Sequence, residues 1–416
     1  MDKLQKNGKK EWGEDVYTLL SWFKTDKVRK AKVMVAGAGA LGNEVLKNLA
    51  LFGVGNILVV DFDTIEYSNL TRSVLFRPED ADKGYYKAEI AAKRIKEINP
   101  SVRIEAICGN LATDVGLGVY RRMDVVIGCL DSLLARLLLN RQCFRAGKLW
   151  IEGGIGDLEG QVSVYQHGTC CFECSLSDEE KRIAFGKGVD DDDNRISCPG
   201  IAQVNEQRGR VATTPVSASI IGAIQAQEAM KIIHKEETEA GHFTSLIGKM
   251  FHYRGAHSET GAYDFELFND DCYSHDIWDT IVEIPDLSAD LSVSEALHLI
   301  KKELQTDTVE INLINDKFVD KISVRSESKN FYPMLPESKL SNYISASHEL
   351  EYYAMKDDGL YQKAYDYIDE DFPYQTLSLK QIGIPYLDVL QVTTEKGYFY
   401  VELTKDKDRF NCLFES

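Results

Sequence analysis

Three groups of residues in this chain have spacings that chemistry would require. The first is Gly37-Ala-Gly39-Ala-Leu41-Gly42, set between an apolar run and a helical one. In that setting the first glycine makes a tight turn, the second lets backbone approach phosphate oxygens, and the third lets helix pack on strand. The phosphates of a nucleotide would then lie at the positive end of the helix. Asp61 and Asp63, at the end of the next apolar run, are placed to reach ribose hydroxyls. By itself the turn suits an NAD-dependent oxidoreductase equally well. Hydride transfer has no use, however, for the polar and cationic set that follows: Asn69, Arg72 and Lys87, then Asp131 after Cys129-Leu130. A nucleotidyl transferase does, because attack on an α-phosphate concentrates negative charge on the phosphate oxygens.

The second group is Cys171-Phe-Glu-Cys174 with Cys272-Tyr-Ser-His275, about a hundred residues later. Two knuckles, each with a two-residue spacer, supply four ligands suited to a closed, structural tetrahedral Zn²⁺ site. One Cys-x-x-Cys alone would also serve redox chemistry, and Cys170 leaves open which thiols bind. The third group is Cys198 in Asn194-Arg195-Ile-Ser-Cys198-Pro-Gly. Beside a cation a thiol shifts toward thiolate, which makes Cys198 a candidate nucleophile; its other reading is an unreactive loop cysteine.

The elements that must position these groups follow from periodicity. Apolar runs at Val33–Ala36, Ile57–Val60, Val102–Ala106, Val125–Cys129, Leu149–Ile151 and Gln161–Tyr165 read as strands. Helical stretches near 41–52, 86–98, 111–121 and 132–146 alternate with them. The alternation predicts an α/β fold: an open, mostly parallel Rossmann-like sheet with helices on both faces, here stapled by zinc. A lead-in of residues 1–30 precedes this unit at 31–278, and its aromatics could line a helix. Residues 176–214, with the acidic run Asp190–Asp193, read as a long mobile crossover loop, a length that implies function or disorder. Pro215 opens an apolar helix, Val216–Ile233, expected to be buried in the core. The pattern restarts over 279–416 as a smaller α+β domain, with a helix at Val293–Leu304 and strands at Val309–Ile314, Ile384–Val392 and Tyr398–Leu403.

Composition narrows the classes further. The chain has 416 residues, 44% apolar and 27% charged, ordinary for a globular protein of two or three domains. A net charge of −18 argues against non-specific binding to nucleic acid or anionic membrane, and permits a basic protein partner. No apolar run reaches the roughly 20 residues of a membrane span, and the first residues lack the apolar core of a signal peptide. Nine scattered cysteines, an odd number, suit a reducing compartment, so a cytoplasmic location is expected.

Over about residues 30–275 the motifs, in this order, resemble the adenylating enzymes that activate ubiquitin-like proteins. They are similar also to the bacterial adenylyltransferases acting on the sulfur carriers of thiamine and molybdopterin synthesis. The resemblance implies ATP as substrate, with Gly37, Gly39, Leu41 and Gly42 lining the phosphate turn and Asp61 on the ribose. Asp63 and Leu130 would join the nucleotide site; Asn69, Arg72 and Lys87 would hold the triphosphate, and Asp131 would hold Mg²⁺. It implies zinc on the paired knuckles and a crossover cysteine, Cys198, that in many members accepts the activated C-terminus as a thioester or carries sulfur. The implied partners are a small ubiquitin-like or sulfur-carrier protein ending in Gly, a conjugating enzyme, and a second copy in a homodimer. Segments Leu291–Leu297 and Leu377–Asp388 are loosely similar to a ubiquitin-fold domain, which would recruit that conjugating enzyme. This tilts the reading toward a stand-alone activating enzyme of a bacterial-type conjugation pathway, with antiphage defence as an extrapolation. The alternatives are a sulfur-carrier adenylyltransferase, which would form no thioester on Cys198, and a non-catalytic scaffold subunit. Two departures stand out: Arg72 is followed by Ser73 where the family often has Gln, and no N-terminal Arg-Tyr-x-Arg-Gln segment supplies an arginine finger.

Overall fold

Alternate residues of strand β1 (Lys32–Ala36) face opposite ways, and both ways are buried: Val33 and Val35 in one apolar cluster, Met34 and Ala36 in another. Strand β2 (Asn56–Val60) repeats the pattern with Ile57 and Val59 against Leu58 and Val60. A strand buried on both faces is a central parallel strand covered by helices on each side. The computed structural model, which describes residues 12–184, 213–265, 268–324, 328–354 and 360–414, has that architecture.

Strands β3 (Arg103–Ile107), β4 (Val125–Gly128), β5 (Trp150–Ile155), β6 (Glu159–Tyr165), β7 (Lys249–Arg254) and β8 (Glu259–Asp264) complete an eight-stranded sheet of order β3-β2-β1-β4-β5-β6-β7-β8. The five strands from β3 to β5 are parallel; β6, β7 and β8 add on antiparallel. The order reverses between β1 and β4, the switch point where doubly wound sheets open a crevice.

Before β1 the lead-in forms two short helices, α1 (Glu14–Tyr17) and α2 (Thr25–Lys30). The helices that follow are α3 (Ala40–Phe52), α4 (Pro78–Asp82), α5 (Lys87–Ile98), α6 (Leu117–Arg121), α7 (Leu133–Arg145), α8 (Asp178–Ala184) and α9 (Pro215–Ile233). Helices α3, α5 and α9 bury apolar residues on one face of the sheet, α6 and α7 on the other. The stretch expected as a helix over 111–121 is helical only from Leu117. Asn110 and Asp114 spend their side chains on backbone N–H groups at Ala112 and Asn110, a local alternative to helix. The crossover read as loop contains α8; Arg195, Cys198 and the acidic run lie outside the described residues. Helix α9 starts where expected, with Pro215 in its first turn and the Thr214 side chain accepting the Ser217 N–H. Among the described residues no helix is long and apolar enough to cross a membrane.

Beyond β8 the chain builds a smaller α+β unit. Strands β9 (Ile281–Ile284), β10 (Glu310–Asn312), β15 (Tyr367–Ile368), β16 (Val389–Thr394) and β17 (Gly397–Leu403) form a five-stranded sheet of order β15-β10-β16-β17-β9. The helix Val293–Leu304 has the bounds expected, with a Ser292–Glu295 capping box. Between β10 and β15 a second sheet is inserted: β11 (Phe318–Val324), β12 (Lys329–Phe331), β13 (Leu335–Pro336) and β14 (Leu360–Tyr365). The strand expected at Ile384–Val392 begins only at Val389, because Gly383 and Leu387 take left-handed backbone conformations on either side of Pro385.

Candidate functional site

The C-terminal ends of β1, β2 and β4 lie on one edge of the parallel sheet, and the chemistry-bearing residues gather there. Gly37 has φ +97°, and a Cβ on it would run into the Cys129 carbonyl after β4; a Cβ on Gly42 would run into the Gly37 carbonyl. Gly39, by contrast, faces open space, and as the N-cap of α3 it leaves the first helical N–H groups without a side-chain acceptor. Backbone donors at a helix start beside vacant room are what phosphate oxygens need.

Asp61 closes this turn from the next strand. One carboxylate oxygen accepts the Ala38 N–H at 2.7 Å and the other accepts the Asp63 N–H at 2.8 Å. Burial pushes its carboxyl up, against the pull of those N–H groups and of Lys87. Asp63 in turn takes Lys87 twice: its carbonyl accepts the Lys87 N–H at 2.9 Å and its carboxylate the ammonium at 2.6 Å. The Lys87 side chain, at the first position of α5, is 11% exposed. Glycine turn, acids and a nearly buried cation are therefore joined by direct bonds.

Asn69, Arg72 and Asp131 are placed differently. Asn69 uses its side-chain oxygen on the Glu66 N–H, and the Arg72 guanidinium donates to the Ser68 carbonyl in its own turn. Asp131 is exposed at the end of β4, and no hydrogen bond or ion pair among the described residues takes its carboxylate. A free carboxylate on the same sheet edge as the glycine turn is of a kind that suits Mg²⁺, which is held by one or two carboxylates together with substrate phosphates.

Asn43 was not singled out by motif, yet it is buried under the turn. Its amide donates to the Ala38 and Gly39 carbonyls at 2.7 and 2.9 Å, and its oxygen accepts the Leu75 N–H at 2.8 Å. It thereby ties the Arg72-bearing segment to the glycine turn. Its signal in the sequence is slight: a polar residue directly after the third glycine, on the face of α3 that packs. Gln225 of α9 is similar, fully buried and donating to the Gly128 carbonyl at 2.8 Å.

The four knuckle residues meet. Cys171 Sγ lies 3.6 Å from both Cys174 Sγ and Cys272 Sγ, and Cys174 Sγ lies 3.4 Å from His275 Nε2. All four ligand atoms fall within 4.8 Å of one another. With Zn–S near 2.3 Å, tetrahedral sulfurs stand roughly 3.8 Å apart, so the cage has zinc's dimensions. Cys170 lies outside this mutually close set, its sulfur donating to the Cys171 carbonyl at 3.4 Å. Around the cage, Glu173 of the first knuckle accepts from Ser274 of the second at 2.5 Å and takes a two-pronged bond from Arg141 at 3.0 and 2.8 Å. Burial would raise the Glu173 carboxyl, but these bonds outweigh it and hold it below its ordinary value. The His275 ring stacks with both Phe144 and Phe268.

With this geometry in hand, comparison with known proteins is direct. The family model described as "ThiF family" matches residues 10–274. The chain is 32% identical over 214 residues to a sulfur carrier protein adenylyltransferase of Thermus thermophilus, covering 50% of this chain and 71% of that protein. It is 41% identical over 161 residues to SUMO-activating enzyme subunit 2 of Dictyostelium discoideum, covering 38% of this chain but only 24% of that protein. A crystal structure of E. coli MccB with succinimide superposes with a TM-score of 0.47 at 24% identity, over 60% of this chain and 68% of its own.

Proposed function

We propose that this chain, which belongs to the ThiF family, uses ATP to adenylate the C-terminal carboxylate of a small ubiquitin-like or sulfur-carrier protein. The observation that carries the reading is the bonded series from Ala38 through Asp61 and Asp63 to Lys87, which joins glycine turn, acids and cation on one edge of the sheet. The names of the relatives support it: one acts as an adenylyltransferase on a sulfur carrier, another is part of a SUMO-activating enzyme.

In this reading the carrier's carboxylate needs no general base, because it is ionised at neutral pH. One of its oxygens attacks the α-phosphorus, the bond to the bridging oxygen breaks, and pyrophosphate leaves with the electron pair. Gly37, Gly39, Leu41 and Gly42 cradle the phosphates and Asp61 takes the ribose. Lys87 exchanges Asp63 for phosphate oxygens, joined by Asn69 and Arg72. Asp131 would hold Mg²⁺, which when bound neutralises charge on the departing pyrophosphate. Cys171, Cys174, Cys272 and His275 would hold Zn²⁺ in a purely structural role.

ATP–pyrophosphate exchange with a panel of small β-grasp proteins ending in Gly tests the reading. Exchange that depends on one carrier is expected; none with any carrier would sink it. The second step is attack of the Cys198 thiolate on the acyl carbon, releasing AMP and leaving a thioester for a conjugating enzyme recruited by residues 279–416. A carrier adduct that is cleaved by thiol reductant and lost in Cys198→Ala is expected. An adduct that survives the substitution refutes Cys198 as the nucleophile, and no thioester on Cys198 in the parent chain favours the sulfur-carrier alternative. Retention of Lys87 and Asp131 weighs against a scaffold subunit. The proposed homodimer predicts twice the chain mass in sedimentation.

A further inference from the structure

At the end of β4 the chain leaves the sheet through Cys129, Leu130 and Asp131, and the peptide plane between Leu130 and Asp131 sets where the exposed Asp131 carboxylate departs. That plane is gripped by Arg136, in the first turn of α7. Its Nε and one terminal nitrogen donate to the Leu130 carbonyl at 3.0 and 2.8 Å. The other terminal nitrogen lies 2.9 Å from Glu152 on β5. Glu152 is paired in register with Gly128, the last residue of β4, and is 1% exposed.

A carboxylate so deeply buried is costly unless a cation accompanies it. Neither Glu152 oxygen has a well-angled hydrogen bond among the described residues; the guanidinium is its main compensation, with a smaller contribution from the Gln161 side chain. Burial pushes the Glu152 carboxyl up and Arg136 opposes that shift. The need runs in both directions: the buried charge keeps Arg136 folded back toward the sheet, and the planar fork then has its other two nitrogens aimed at one oxygen. A lysine in its place is a compact point charge on a flexible stem and lacks the planar fork that holds the Leu130 carbonyl with two nitrogens while the third meets Glu152.

We propose that Arg136 and Glu152 are positioning residues for Asp131: Glu152 aims the guanidinium, the guanidinium clamps the Leu130 carbonyl, and the clamp fixes the direction in which Asp131 meets a phosphate-bound Mg²⁺. The inference rests on Asp131 as the magnesium ligand. Magnesium demands near-ideal octahedral geometry, so a carboxylate on an unclamped turn would bind it poorly. Removal of groups that orient a metal ligand costs about tenfold or more in metal affinity.

The test is ATP binding to the full chain by calorimetry, with and without magnesium, for Asp131→Asn, Arg136→Lys, Glu152→Gln and the Arg136→Lys/Glu152→Gln pair. Each is expected to lose about tenfold of the magnesium-dependent gain in ATP affinity while keeping the magnesium-free affinity. The double variant is expected to lose no more than the worse single one, because the two residues act in series. A merely structural role would lower both affinities together, and that result overturns the proposal. Glu152→Gln keeps the side-chain shape and removes a buried charge, so it remains informative should Arg136→Lys fold poorly. If only Asp131→Asn loses the magnesium effect, the positioning role is wrong and the magnesium ligand stands. If Asp131→Asn also keeps it, the magnesium assignment falls and the inference falls with it.

Discussion

Within the glycine motif, three residues of one type do three different jobs. Gly37 and Gly42 have no room for a Cβ because backbone carbonyls occupy the space, whereas Gly39 faces nothing within 4 Å. Gly42→Ala is therefore expected to cost about 1–3 kcal/mol of stability, read as a lower denaturant midpoint. Gly39→Ala is expected to leave that midpoint unchanged within about 0.5 kcal/mol. Its methyl would instead stand where phosphates approach, so ATP affinity should fall in the same preparation. Unchanged ATP affinity in Gly39→Ala would show that the open space at Gly39 has no bearing on nucleotide binding. The motif is legible from spacing; which glycine guards the fold and which the ligand depends on what lies across the turn.

Between elements, the two knuckles join the turn after β6 to the segment after β8. Glu173, Ser274 and Arg141 brace them from outside the cage. Cys272→Ser removes one of four ligands, and the purified variant is expected to carry clearly less zinc and to unfold at lower temperature. Chelation of the parent protein should reproduce the shift, since binding energy at such a site is folding energy. Equal zinc in parent and variant would refute the cage. The ligands were readable as pairs with a two-residue spacer. Which three of the four clustered thiols join His275 was not, because it depends on which sulfurs come mutually close in space.

Across the whole molecule, the smaller unit is not merely appended. Leu387, Val389, Leu413 and Phe414 sit in the same apolar cluster as Leu117, Val119 and Tyr120 of α6. Glu402, fully buried, pairs with both Arg121 and Arg122. Asp388 accepts the Leu117 N–H at 2.8 Å across the junction. A chain ended after Trp278 would leave that face of the sheet uncovered, and is expected to bind a hydrophobic dye and lose cooperative unfolding. Asp388 adds a pH term. Burial pushes its carboxyl up to about 6, above the 3.8 of an ordinary aspartate. The stability it contributes is present below the ordinary value and is lost as pH rises through the folded one. Asp388→Asn keeps an acceptor for the Leu117 N–H without the charge. Its stability relative to the parent should therefore rise between about pH 4 and pH 7, measured by denaturant titration at each pH. A difference independent of pH would count against a buried, titrating Asp388.

The sequence by itself determined whatever depends on neighbours along the chain. The glycine turn, the acid after the second strand, the alternation of strands and helices, the knuckle spacers and the capped helix at Val293–Leu304 are all local patterns with local physical causes. The hairpin β7–β8 was missed because its residues are half-buried or exposed and carry little apolar alternation. Only the tertiary structure decided what depends on contacts between distant segments. Asn43 reaching Leu75, Gln225 reaching Gly128, Glu152 drawing Arg136 onto the Leu130 carbonyl, and Glu402 gathering Arg121 and Arg122 at the end of α6 join residues that no spacing rule connects. The reason is physical: a buried polar group must find a partner wherever the fold brings one, and that place is set by packing rather than by position in the chain.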